Sequence, residues 1–203
     1  FVTGSPRICV ATSRGLGIVD LENETFEANG PSNGIDSSLV SMLYASATGT
    51  LHIVKSSDGY ASIKLTAENA FVSLEDDEET MILAFNRAGN VLTAAMSDNG
   101  KLLALGESSG EFYAIDLATK ERIASFKAED YVRGIFFAQN DTVLCAGDDQ
   151  RFVHEIDLET KTYLSKMCIP GSGYIYQLTR AMIPEGSGKY GAAVCGNMNE
   201  VIA

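Results

Sequence analysis

Residues 85–120 read FNRAGNVLTAAMSDNGKLLALGESSGEFYAIDLATK, and residues 126–161 read FKAEDYVRGIFFAQNDTVLCAGDDQRFVHEIDLETK. A shift of 41 positions lays one on the other without a gap. Phe85 falls on Phe126, Asn99 on Asn140, Leu103 on Leu144 and Gly106 on Gly147. Ile115-Asp116-Leu117 falls on Ile156-Asp157-Leu158, and Thr119-Lys120 on Thr160-Lys161. A fixed period of this size marks a repeat architecture, in which each unit needs its neighbours to cover its apolar faces.

Each unit reads as four short strands. In the first they fall at about 91–96, 102–106, 111–116 and 122–126, separated by Ser97-Asp98-Asn99-Gly100, Glu107-Ser108-Ser109-Gly110 and Leu117-Ala118-Thr119-Lys120. Gly and Asn tolerate the positive φ of tight hairpins, and Asp and Ser bond back to local amides. Phe112, Ala114 and Asp116 alternate with Tyr113 and Ile115, so the strand has two distinct faces. Ala94, Ala95, Ala104 and Gly106 are small enough for strands at a crowded centre. No segment keeps a helical period, and the expected class is an all-β meander.

The pattern extends both ways. Upstream, Leu39 to Ala45, Leu51 to Val54 and Tyr60 to Leu65 repeat the meander; its fourth strand is either Met81 to Phe85, which the 41-residue register favours, or Ala70 to Leu74. Ile8 to Ala11, Gly17 to Asp20 and Thr25 to Ala28 read as three strands of an earlier unit. Gly173 to Ala181, Tyr190 to Gly196 and Val201 to Ala203 read as three of a later one.

Units ending in apolar-Asp-Leu and a Thr-Lys turn resemble WD40-type β-propeller blades. The residues that carry this are Ile115-Asp116-Leu117, Ile156-Asp157-Leu158 and Val19-Asp20-Leu21, with Ser57-Asp58-Gly59 similar to the family's Asp-Gly turn. The Asp-Leu-x-Thr turn is shared by YVTN-like and quinoprotein-like propellers, which stay open as an alternative. The chain has no Trp and no Gly-His pair, so the family's His–Asp–Trp hydrogen-bond set is expected to be missing. The resemblance implies an all-β β-propeller of four-stranded antiparallel blades, about four and a half of them. The blades span 1–30 (incomplete), 31–86, 87–127, 128–168 and 169–203 (incomplete). With Phe1 in first place and a last strand cut short, the chain reads as a piece of a larger protein, a propeller completed by another chain, or a small closed ring.

In such a propeller the connections between blades and the second-to-third-strand turns share one face. There the expected protein-interaction residues are Tyr131, Arg133, Asp148 and Gln150, with Asn90 and Arg87 one blade earlier. Aromatic and Arg side chains dominate binding hot spots. Asp148 and Asp149, in a hairpin turn, are expected to be exposed. The implied function is a non-catalytic protein–protein interaction scaffold inside a larger assembly; a propeller-type enzyme and a reader of a basic peptide are the alternatives.

The chemistry of the chain is consistent with that reading. Gly171-Ser172-Gly173 lacks the spacing of a hydrolase elbow, and Gly186-Ser187-Gly188-Lys189 lacks the frame of a phosphate loop. Cys9, Cys145, Cys168 and Cys195 are too far apart for a zinc ribbon, and Cys9, Cys145 and Cys195 read as buried strand residues. His52 and His154 read as strand histidines, and Glu75 to Glu79 as a solvated connection. Asn23-Glu24-Thr25 and Asn140-Asp141-Thr142 read as turns. No cofactor and no metal are expected. A net charge of −12 argues against direct nucleic-acid or anionic-membrane binding, and no apolar run approaches the ~18 residues of a membrane span. The expected partners are other proteins, including a chain or further segment that completes the propeller, in an intracellular setting, cytoplasm or nucleus.

Overall fold

The apolar-Asp-Leu triplets fold as turn builders. In the computed structural model, Asp116 Oδ1 accepts hydrogen bonds from the amides of Ala118 (2.8 Å) and Thr119 (3.1 Å). Asp157 Oδ1 accepts one from Thr160 (2.7 Å), and Asp20 Oδ1 accepts from Glu22 and Asn23. Four positions after each Asp the chain turns left-handed, at Glu24 (φ 52°), Lys120 (59°) and Lys161 (57°). The side chain takes the place of a backbone acceptor, and the left-handed residue reverses the chain into the next strand.

The structure describes residues 7–12, 15–27, 39–45, 50–55, 60–65, 71–73, 88–170, 174–181, 191–196 and 201–202. Every regular element among them is a strand, and every pairing is antiparallel. The chain divides into two units, Phe1–Ile82 and Leu83–Ala203.

The first unit holds two sheets. One is the meander β1 (Arg7–Thr12), β2 (Gly15–Asp20) and β3 (Thr25–Glu27). The other is β4 (Leu39–Ala45), β5 (Thr50–Lys55), β6 (Tyr60–Leu65) and β7 (Phe71–Ser73). The fourth strand of this second sheet is therefore the one within Ala70 to Leu74. A short connection lets Leu65 pair with Phe71 and Ile63 with Ser73, so local register prevails over the 41-residue period. Met81 to Phe85 lies outside the described residues.

The second unit holds three sheets. β8 (Val91–Met96), β9 (Leu102–Glu107), β10 (Glu111–Asp116) and β11 (Glu121–Lys127) form the first. β12 (Val132–Ala138), β13 (Val143–Asp148), β14 (Phe152–Asp157) and β15 (Thr162–Cys168) form the second. β16 (Ile175–Ala181), β17 (Gly191–Gly196) and β18 (Val201–Ile202) form the third. The opening strands β8, β12 and β16 stand side by side.

Two apolar cores join these sheets face to face. Ala104, Phe112 and Ala114 of one sheet meet Ile135, Phe137, Leu144 and Ile156 of the next. Phe136, Cys145 and Val153 on the opposite face meet Ile175 and Leu178. Phe112 is wholly buried and stacks on Phe126 at 5.7 Å between ring centres. Burying a side chain of this size contributes about 1.5–3 kcal/mol. At Gly134 β12 and β16 approach closely: a Cβ there would lie 2.3 Å from the Leu178 amide nitrogen.

Candidate functional site

A buried carboxylate anchors the second-to-third-strand turn in two successive repeats. Glu107, at the end of β9, is fully buried. Its Oε2 accepts hydrogen bonds from the amides of Ala88 (3.2 Å) and Gly89 (2.9 Å) and from Ser109 Oγ (2.9 Å). Its Oε1 accepts one from the Tyr113 hydroxyl at 2.9 Å, and Arg122 approaches to 4.0 Å while stacking 3.5 Å over the Tyr113 ring. One side chain thus ties the connection entering β8 to the turn and to β10 and β11. Satisfying the carboxylate this fully is what makes its burial tolerable.

Asp148 takes the same position one repeat later and is 0% exposed. Its Oδ1 accepts from the Gln150 (3.0 Å) and Phe152 (2.9 Å) amides, and its Oδ2 lies 3.0 Å from His154 Nε2. Burial alone would raise the Asp148 pKa. The His154 hydrogen bond, with the Phe152 and Gln150 amides, outweighs it and holds the carboxyl below its ordinary range. Glu129, in the connection before β12, places Oε2 3.8 Å from His154 Nε2 and pairs with Lys166 through its other oxygen. The rings of Phe112, Phe152 and Tyr163 surround the imidazole. Tyr163 donates to the Lys127 carbonyl at 3.1 Å; burial, with the charges of Glu129 and Asp148, raises its hydroxyl pKa.

One expectation is qualified here and one is corrected. The hydrogen-bond set expected to be missing has a counterpart built from other residues: Glu107 with Tyr113 and the Ala88 and Gly89 amides, then Asp148 with His154. Asp148 and Asp149 are also not exposed; Asp149 retains only 8%. Their carboxylates turn inward because the donors lie inside. Asp148 is consequently an internal support and offers no surface to a partner.

Of the other expected site residues, Asn90 and Tyr131 directly precede β8 and β12, Arg133 lies in β12 and Gln150 in the turn between β13 and β14. Tyr131 is 45% exposed, and Gln150 and Asn90 are exposed. Arg133 Nε lies 2.9 Å from both oxygens of Asp149, and its guanidinium sits 5.5 Å from the Tyr131 ring centre. Burial raises the Asp149 pKa, against the opposing bond and charge of Arg133. The Tyr131 carbonyl accepts the Asp149 amide at 3.0 Å, as the Asn90 carbonyl accepts the Ser108 amide at 2.8 Å. Each strand entrance is therefore stapled to its own turn. Arg87 lies outside the described residues.

Tyr174, half-exposed directly before β16, occupies the place that Tyr131 holds before β12. The sequence reading missed it because the connection through Gly171-Ser172-Gly173 shifts the register; its position ahead of an opening strand was the available signal. His52 is buried in β5, Cys145 is buried and Cys168 is exposed. The 75–79, 171–173 and 186–189 segments lie outside the described residues.

No protein-family model matches the chain. Over 86 residues it is 31% identical to a guanine nucleotide-binding protein subunit beta-like protein of Encephalitozoon cuniculi (strain GB-M1), covering 41% of this chain and 26% of that protein. A chain in the crystal structure of the mitotic checkpoint complex superposes with a TM-score of 0.67 at 14% identity, over 94% of this chain and 53% of that one. The RRP9 WD40 repeats superpose with a TM-score of 0.57 at 17% identity, over 78% of this chain and 45% of that one. The chain thus spans about a quarter to a half of the length of each of these proteins. With three antiparallel four-stranded sheets among the described residues and these structural likenesses together, the chain has a β-propeller fold similar to that of WD40 repeat proteins.

Proposed function

We propose that this chain is a non-catalytic protein–protein interaction scaffold, a propeller segment of a larger intracellular assembly. Its contact surface is the rim of Tyr131, Arg133, Gln150 and Asn90, extended by Tyr174. The observation that carries this reading is the Arg133–Asp149 pair beneath a half-exposed Tyr131. An Arg fixed by two bonds beside an aromatic ring is preorganised, and ordering it on binding costs little. Support also comes from the structural neighbour that is part of a protein complex by name. A further segment or another chain completes the ring, and the net charge of −12 disfavours nucleic acid and anionic membrane as direct partners.

The test is quantitative co-purification of the native full-length protein against Tyr131→Ala and Gln150→Ala variants of matched thermal stability. Loss of a defined set of protein partners is expected. An unchanged partner set in both variants would remove the rim from the interface.

A further inference from the structure

Glu129, Asp148 and His154 are 41 positions after Ala88, Glu107 and Tyr113. In the earlier repeat those positions make a closed clasp: the carboxylate is satisfied by two amides and two hydroxyls, and Ala88 contributes only backbone. In the later repeat every one of the three is a metal-ligating type. The clasp explains Asp148 and His154; at Glu129 the Lys166 ion pair engages one oxygen and leaves the other facing His154. Two carboxylates there converge on one imidazole nitrogen, which has a single hydrogen to donate.

We propose that Glu129, Asp148 and His154 form a binding site for a divalent cation of the zinc class. One ligand atom from each lies within 4.8 Å of the others. His154 Nε2 is 3.0 Å from Asp148 Oδ2 and 3.8 Å from Glu129 Oε2. A tetrahedral ion with bonds of about 2.0–2.2 Å has ligand–ligand edges of about 3.3–3.6 Å, so modest side-chain adjustment admits one. An imidazole with two carboxylates is a donor set for zinc and its first-row neighbours. Part of the supporting geometry is in place for Asp148 and for the imidazole plane, while His154 Nδ1 is buried without a hydrogen-bond partner. The Gln150 and Phe152 amides hold Asp148 Oδ1 and leave Oδ2 turned to the site. Rings of Phe112, Phe152 and Tyr163 set the imidazole plane. Asp148 and His154 are buried at 0% and 1%, while Glu129 is 43% exposed, so the cluster reaches solvent on the side of the Glu129 carboxylate. Lys166, paired with Glu129 and lying 4.2 Å over the Phe152 ring, is a competing cation at the same carboxylate.

The competition makes the test two-sided. The full chain is titrated near neutral pH with zinc alone and with cobalt(II) alone, read by visible d–d absorption and by the shift in melting temperature. One cobalt per chain, displaced by zinc, and a zinc-dependent rise in melting temperature are expected. Glu129→Gln, at a partly exposed position, should weaken zinc at least about tenfold while lowering the metal-free melting temperature only slightly through loss of the Lys166 pair. Lys166→Met should tighten it. His154→Gln should abolish the cobalt bands. No binding at one equivalent by the wild-type chain would overturn the site. Binding that Glu129→Gln and Lys166→Met both leave unchanged would also overturn it, by placing the metal elsewhere.

Discussion

Glu107 and Asp148 stand at the same place in successive repeats, and both bury a carboxylate under the turn that follows their strand. The longer side chain of Glu107 reaches the Ala88 and Gly89 amides of the incoming connection; the shorter Asp148 turns back to its own turn and to His154. Removing a buried acceptor strands its donors at about 1–3 kcal/mol. Glu107→Ala should therefore lower unfolding free energy by about 3 kcal/mol in urea titration. Glu107→Asp should recover only part of this, because it falls short of the amides. A loss below about 1 kcal/mol for Glu107→Ala would show that water replaces the clasp.

Phe112 sits where two sheets meet, between Phe126 and His154. Phe112→Ala should cost about 3–5 kcal/mol, combining lost transfer energy with a cavity. Phe26, which is half-exposed, provides the contrast: Phe26→Ala should stay within about 0.5 kcal/mol. Equal effects in thermal unfolding would mean that this interface is not the core.

Arg151 adopts φ 68° at the turn position where Gly110 has φ 85° one repeat earlier. Its amide bonds the Asp148 carbonyl as the Gly110 amide bonds the Glu107 carbonyl. The left-handed region costs an L-residue about 1–2 kcal/mol, and glycine avoids this at some entropic cost in the unfolded chain. Arg151→Gly should raise the melting temperature slightly and Arg151→Val should lower it. A lower melting temperature for the glycine variant would assign Arg151 a stabilising contact.

The turn chemistry was the most legible part of the sequence. Asp20, Asp116 and Asp157 bond the amides that follow them, and the Lys of each Thr-Lys pair is the left-handed residue of its turn. The strand faces were legible too, with Phe112 and Ala114 in one core. Asp148 was misread because a charge in a hairpin turn ordinarily faces water; its donors, Phe152 and His154, become neighbours only once β13 and β14 pair. The site formed with Glu129 was invisible for a similar reason. Metal motifs are legible in a sequence at short spacing, whereas this cluster depends on a connection that precedes β12.

Asp157 carries a pH prediction. The Thr160 amide, its largest influence, stabilises the ionised carboxylate and lowers its pKa below the ordinary 3.8. A depressed folded-state pKa contributes stability that is present above the unfolded value and fades as pH falls through the folded one. Urea midpoints should therefore decline into the acid range partly through this group. Asp157→Asn, which keeps an acceptor oxygen but no charge, should show a shallower decline there. Because the side chain is only partly buried the difference is small, and parallel acid limbs for the two proteins would remove the turn from the pH response.

Gly134 sets how closely β12 can approach β16. A Cβ at this position would lie 2.3 Å from the Leu178 nitrogen and 2.4 Å from the Leu178 Cβ. Both distances are far inside van der Waals contact, and one of the atoms is backbone, so rotamer changes cannot relieve the overlap. Gly134→Ala should destabilise the second unit by at least about 1–3 kcal/mol, the usual range for overpacking. The double variant Gly134→Ala/Leu178→Ala separates the two contributions. If the side chain were the obstacle beyond its Cβ, shortening Leu178 would restore stability. Because the nitrogen and Cβ remain, the double variant should stay at least as unstable as Gly134→Ala in denaturant unfolding, and recovery toward wild type would show that the two strands can separate enough to admit a methyl group.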